Sequence, residues 1–89
     1  MPGFILLVRD REDSDAAMRA GFTVTKKIGG AVVRNRMKRR FRALAQEIVP
    51  EKGFAGSDHV MIGRAKGVER DYSLLRSELT QALERLRGQ

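Results

Sequence analysis

The sequence predicts an α+β domain, a small sheet carrying two helices in the order strand, strand, helix, strand, helix. Three observations lead there. Short apolar runs of strand length occur near residues 4–8, 22–28 and 58–64. Two longer segments, around 33–48 and 72–86, space their apolar residues by three and four, the period of a helix buried on one side. Glycines, Pro50 and polar clusters fall between these segments, where turns are needed. With 89 residues and a hydrophobic fraction of 42%, the chain is one domain, 1–89, with a single core.

Phe4-Ile-Leu-Leu-Val8 is an apolar run rich in β-formers and reads as a buried strand. Arg9 to Arg19 is polar and acidic, a solvated connector. After Gly21, the stretch FTVTKKI alternates and reads as a second, half-buried strand. Gly29-Gly30 then breaks the chain before a helix. On a helical wheel Val33, Met37, Phe41, Leu44 and Ile48 fall within about 80° of arc, a core-facing stripe. Val49-Pro50 is expected to end this helix, and Glu51 to Ser57 to form a loop. Asp58 to Arg64 reads as the third strand and Ala65 to Arg70 as a connector. Asp71 is placed to cap a final helix, whose stripe is Tyr72, Leu75, Leu79, Leu83 and Leu86.

The net charge of +7 is not spread evenly. Residues 26–42 carry eight cations and no acid, whereas the remaining chain has ten cations against eleven acids. Helix surfaces normally interleave acids and bases, because opposite charges four apart stabilise a helix. Here Arg34, Lys38 and Arg42 repeat one sign at that spacing, and Arg36 and Arg40 repeat it again. Each such pair costs a few tenths of a kcal/mol, so a polyanionic partner is the economical explanation. The preponderance of Arg over Lys suits bidentate contact with phosphates. Asn35, among the arginines, is a candidate for a base edge or ribose, or equally for solvent.

Other chemistries fare worse. His59 stands beside Ser57 and Asp58, but the adjacent Asp58 projects to the opposite face of a strand, so the three cannot converge as a triad. There is no cysteine, hence no disulfide or thiolate metal site. The acids lack metal-loop spacing. Gly29-Gly30 lies before a helix but lacks the Gly-Lys-Ser/Thr of a nucleotide-binding loop. FILLV is too short to cross a bilayer and has no signal-peptide layout, so a cytoplasmic location is expected. A strand and a di-glycine precede the basic helix, which argues against a helix-turn-helix reader of DNA. The sheet lacks the paired aromatics of common single-strand RNA binders. What is left is a charged helix that reads the backbone and shape of a folded RNA.

The run TKKIGGAVVRNRMKRR, residues 25–40, followed by Arg42, resembles the signature of the bacterial ribonuclease P protein subunit. The likeness extends through Gly21-Phe-Thr-Val24, the strand DHVMIGR ending in Arg64, and Asp71-Tyr72, and covers roughly residues 4–87. The resemblance implies a ribosomal protein S5 domain 2-like fold with a left-handed βαβ crossover. It also implies a single RNA-binding domain that assists a catalytic RNA in removing the 5′ leader from precursor tRNA. The chemistry would belong to that RNA and its Mg²⁺, with no cofactor held by a protein motif. By position, Lys26, Lys27, Arg34, Asn35, Arg36, Lys38, Arg39 and Arg42 would meet the RNA subunit, and Ile5 and Leu7 would line a cleft for the leader. Family members usually carry a basic arm and an aromatic-bearing helix before the first strand. This sequence starts almost at that strand, so the expectation is a member lacking them. The alternative reading is a general structured-RNA or ribosome-associated binder without a processing role. A stand-alone nuclease would need an acid–base pair that the sequence does not supply.

Overall fold

The computed structural model describes residues 3–12 and 15–88. Five main elements follow one another: β1 (Phe4–Asp10), β2 (Arg19–Thr23), α1 (Ala31–Lys52), β3 (Ser57–Gly63) and α2 (Tyr72–Arg87), with a 3-10 turn at Ala65–Gly67. The order expected from the sequence is the order found. The sheet runs β1-β3-β2, so the strand formed last in sequence lies in the centre. It pairs antiparallel with β1 and parallel with β2. A parallel pair cannot be joined by a tight turn, and α1 is the crossover between β2 and β3.

Period-two burial splits the sheet into two faces. Phe4 and Leu6 of β1, and His59, Met61 and Gly63 of β3, are buried on the inner face. Ile5 and Leu7 lie on the outer face and are exposed. Both helices cover the inner face. Met37, Phe41, Leu44 and Ile48 of α1 meet Leu75, Leu79 and Leu83 of α2 and the inner strand residues in one core cluster. Phe41 presents its ring edge-on to Phe4, with centroids 5.7 Å apart. Gly63 is needed in the centre of β3, because a Cβ there would come within 2.7 Å of the Met37 sulfur.

The structure departs from the sequence reading at several points. The second strand begins at Arg19 and ends at Thr23, and Lys26 to Ile28 form a turn closed by the Ile28 N–H donating to the Thr25 carbonyl at 3.0 Å. Local alternation did not reveal Ala20-Gly21 as strand; pairing along β3 makes them so. The helix α1 also runs through Pro50 to Lys52. Proline removes one N–H and frees the carbonyl four residues earlier, that of Gln46, but both residues are exposed and water can take that acceptor. The helix stops at Gly53, whose N–H donates to the Val49 carbonyl at 2.7 Å. A Cβ on Gly53 would lie 2.6 Å from that carbonyl oxygen and 2.9 Å from His59 Nε2. Finally, Leu86 is 37% exposed and not part of the core stripe. The end of α2 is instead held by Arg87, which donates to the Lys52 and Gly53 carbonyls and lies over the Phe54 ring.

One expectation is met at a named residue. Asp71 caps α2, its carboxylate accepting from the Ser73 N–H at 3.2 Å. His59 is a core residue, 1% exposed. Its Nε2 accepts from the Phe54 N–H and its Nδ1 donates to the Arg19 carbonyl, both at 3.0 Å. A backbone N–H only donates and a carbonyl only accepts, so this pair of bonds selects the neutral Nδ1–H tautomer. The ring ties the end of α1 to the start of β2.

Candidate nucleic-acid interface

The cationic surface starts at the turn after β2. Lys26 and Lys27 are both exposed there. Gly30 is the N-cap of α1, with no side-chain cap and no acid in the first turn. The first free amides of the helix and its positive dipole end therefore stand beside those two lysines without a compensating anion. The stripe from Met37 to Ile48 anchors one side of α1 in the core, while Val33, expected to begin it, is only half-buried and lies outside the core cluster. The cations the sequence placed on the other sides reach the surface, with Arg40 as the exception.

Asn35, Arg36, Arg39 and Arg42 are exposed, and Arg34 and Lys38 are half-buried. Arg34 buries its Nε without an acceptor. Among the described residues, none of Lys26, Lys27, Arg34, Arg36, Lys38, Arg39 or Arg42 has an ion-pair partner. Acids are available elsewhere, and there they are used: Arg11 meets Asp58 at 3.0 Å and Arg76 meets Glu47 at 2.6 Å. The six α1 residues expected to meet RNA occupy about 200° of the helix circumference, from Arg34 on the β2 side to Arg36 on the α2 side. They share one helix but not one plane.

Arg40, in the middle of the basic run, has a different task. Its guanidinium donates to the carbonyls of Gly67, at 3.4 Å, and Val68, at 3.3 Å, and to that of Arg70. It thereby holds the connector that leads into α2. A position at the edge of the core stripe was the only hint in the sequence. Val32 went unnoticed for the opposite reason. It is apolar but lies off the stripe, and at 83% exposure it stands among the cations on the solvent side.

Ile5 and Leu7 are brought together on the outer face of the sheet, 43% and 52% exposed. Their cross-strand partners Ile62 and Val60 share that face, giving a half-open apolar surface. The thickness of the sheet separates it from α1. The two groups of expected site residues therefore form two surfaces.

Comparison with known proteins agrees with this architecture. The sequence matches the family model Ribonuclease P over residues 1–87. The ribonuclease P protein component of Erythrobacter litoralis is 56% identical over 86 residues, covering 97% of this chain and 69% of that protein. The ribonuclease P protein component of Paramagnetospirillum magneticum is 43% identical over 88 residues, covering 96% and 66%. The chain thus spans about two thirds of the length of these relatives. Among solved structures, the ribonuclease P protein of Thermotoga maritima superposes with a TM-score of 0.75 at 31% identity, over 93% of this chain and 76% of that one. A basic helix crossing between parallel strands, the cations of its first turns without ion pairs among the described residues, is here joined to a sequence match along nearly the whole chain: the protein belongs to the ribonuclease P protein-component family.

Proposed function

We propose that the chain binds the catalytic RNA of ribonuclease P and assists the Mg²⁺-dependent endonucleolytic removal of the 5′ leader from precursor tRNA. The observation that carries this reading is the row Arg34, Lys38 and Arg42, three like charges at successive turns with no acid within ion-pair distance. Such a row is destabilising alone and is relieved by phosphates. In the proposed complex Lys26, Lys27, Arg34, Asn35, Arg36, Lys38, Arg39 and Arg42 meet the RNA subunit, whose surface must be concave to reach across the arc they occupy. Ile5 and Leu7, on the other side of the sheet, offer an apolar surface to the leader. Among the described residues no group of three or more His, Asp or Glu side chains is placed to hold a metal ion. The proposal therefore assigns the Mg²⁺ and the hydrolytic chemistry to the RNA, and binding and positioning to the protein.

The test is stimulation of precursor-tRNA cleavage by the matching catalytic RNA at low Mg²⁺. Folded protein that gives no stimulation overturns the reading. A general structured-RNA binder would hold unrelated folded RNAs as tightly as the ribonuclease P RNA, which competition binding measures. If about five helix cations meet phosphates, log K should fall by roughly three to five units per decade of salt.

A further inference from the structure

One side of α1 changes character along its length. Arg34, Lys38 and Arg42 lie on the side that faces β2, and the next residues on that side are Ala45 and Val49, which are buried. Beyond Arg42 the helix and β2 leave a groove of about 370 Å³ between them, a volume in the range of sites for small ring-bearing ligands. Its wall on the β2 side is Met18, just before the strand, with Ala20 and Phe22, and its α1 wall includes Arg42 and Gln46. Phe22 is only half-buried, Met18 is 37% exposed, and Ala20 is exposed. Arg42 is the one charged side chain in the lining, and no acid is present.

We propose that this groove takes an unpaired nucleobase of the RNA that docks on α1, an assignment that rests on the RNA-binding reading above. Phosphates of that strand would follow Arg34, Lys38 and Arg42, which leaves the base of the next nucleotide at the mouth of the groove. Ala45 and Val49 give it an apolar floor, and the ring of Phe22 a surface to pack against. Gln46 carries both a donor and an acceptor for the edge of the base. A base splayed from a folded RNA and set against an aromatic ring is a common way for proteins to hold single-stranded positions. A peptide strand added to the open edge of β2 is the rival occupant. Charge continuity favours the nucleotide, since the cation row runs directly into the groove.

The test compares two synthetic RNAs with the full chain: a single-stranded decamer, and the same decamer with every base removed and all phosphates kept. The intact decamer should bind about tenfold more tightly, the contribution expected from one stacked base. Its binding should shift the Met18 methyl and Phe22 ring resonances. Phe22→Leu should abolish the difference between the two RNAs while leaving the abasic affinity unchanged. Because Phe22 also touches the core, Ala20→Met gives a second variant at an exposed position; it fills the groove and should have the same effect. Equal binding of intact and abasic RNA, or a difference that survives both variants, overturns the base pocket. In that case a salt-dependent abasic affinity still upholds RNA binding by α1. Failure of both RNAs to bind overturns the pocket, while the broader reading stands or falls separately on the stimulation of precursor-tRNA cleavage. An apolar decapeptide that shifts the same resonances at lower concentration than RNA would assign the groove to a strand instead.

Discussion

In the first three turns of α1, residues 31–42, six cations stand without an acid in the segment; among the described residues none of them has an ion-pair partner, and of the six only Arg40 is hydrogen-bonded through its side chain. In the last turns the same helix behaves differently. Glu47 reaches Arg76 at 2.6 Å, Lys52 reaches Glu84 at 3.2 Å, and Ala45, Ile48 and Val49 are buried. The C-terminal half is joined to α2 by packing and by ion pairs, whereas the N-terminal half is held by packing and by the hydrogen bonds of Arg40, without an ion pair among the described residues. Burial fixes the helix in both halves. Charge pairing is then dispensable for the fold, and at one end it is withheld.

Substitutions should separate these contributions. The largest expected effect is that of Phe41→Ala, which removes a fully buried ring from the junction of α1 and β1. It should cost about 3–5 kcal/mol of folding stability, measured by urea unfolding, and so remove both halves of the comparison at once. Arg40→Ala comes next. Three backbone carbonyls lose a guanidinium donor, and a loss of about 1.5–3 kcal/mol is expected, visible as a lower thermal midpoint. Its neighbour should respond in the opposite sense. Arg39→Ala should leave stability within about 0.5 kcal/mol and weaken binding to the ribonuclease P RNA by about 1–3 kcal/mol. Equal effects of the two arginines on stability would erase the distinction drawn between them. The smallest effect belongs to Arg76→Ala, which breaks an exposed pair and should cost no more than about 1 kcal/mol of stability, with RNA affinity unchanged in the same titration.

Much of this was legible from residue order. The stripe Met37, Phe41, Leu44 and Ile48 showed which side of α1 is buried because helical spacing is a local property. Asp71 could be read as a cap for the same reason. The strand order was not legible: nothing in Phe4–Val8 or Asp58–Arg64 says which of them lies at the centre. The start of β2 at Arg19 was hidden as well, since Ala20 and Gly21 have little strand preference and become strand only by pairing with His59 and Val60. Pro50 was read as a stop because the rule concerns helix interiors, and here the freed carbonyl is at the surface. At the candidate site, the excess of cations was plain in the sequence, but the distinct task of Arg40 was not. A guanidinium that bonds three carbonyls some thirty positions away leaves no local trace.

The like-charged row on α1 also gives salt two opposed effects on this protein. Arg34, Lys38 and Arg42 repel one another in the free chain, as do Arg36 and Arg40, each pair by a few tenths of a kcal/mol. Dissolved ions shorten the range of that repulsion to about 8 Å at physiological strength, so moderate salt should raise the melting temperature of the free protein. The same ions should loosen its hold on a nucleic acid. Buffer conditions that best preserve the isolated chain are thus the ones in which it binds least, and a preparation tuned for stability alone would understate what the helix can do.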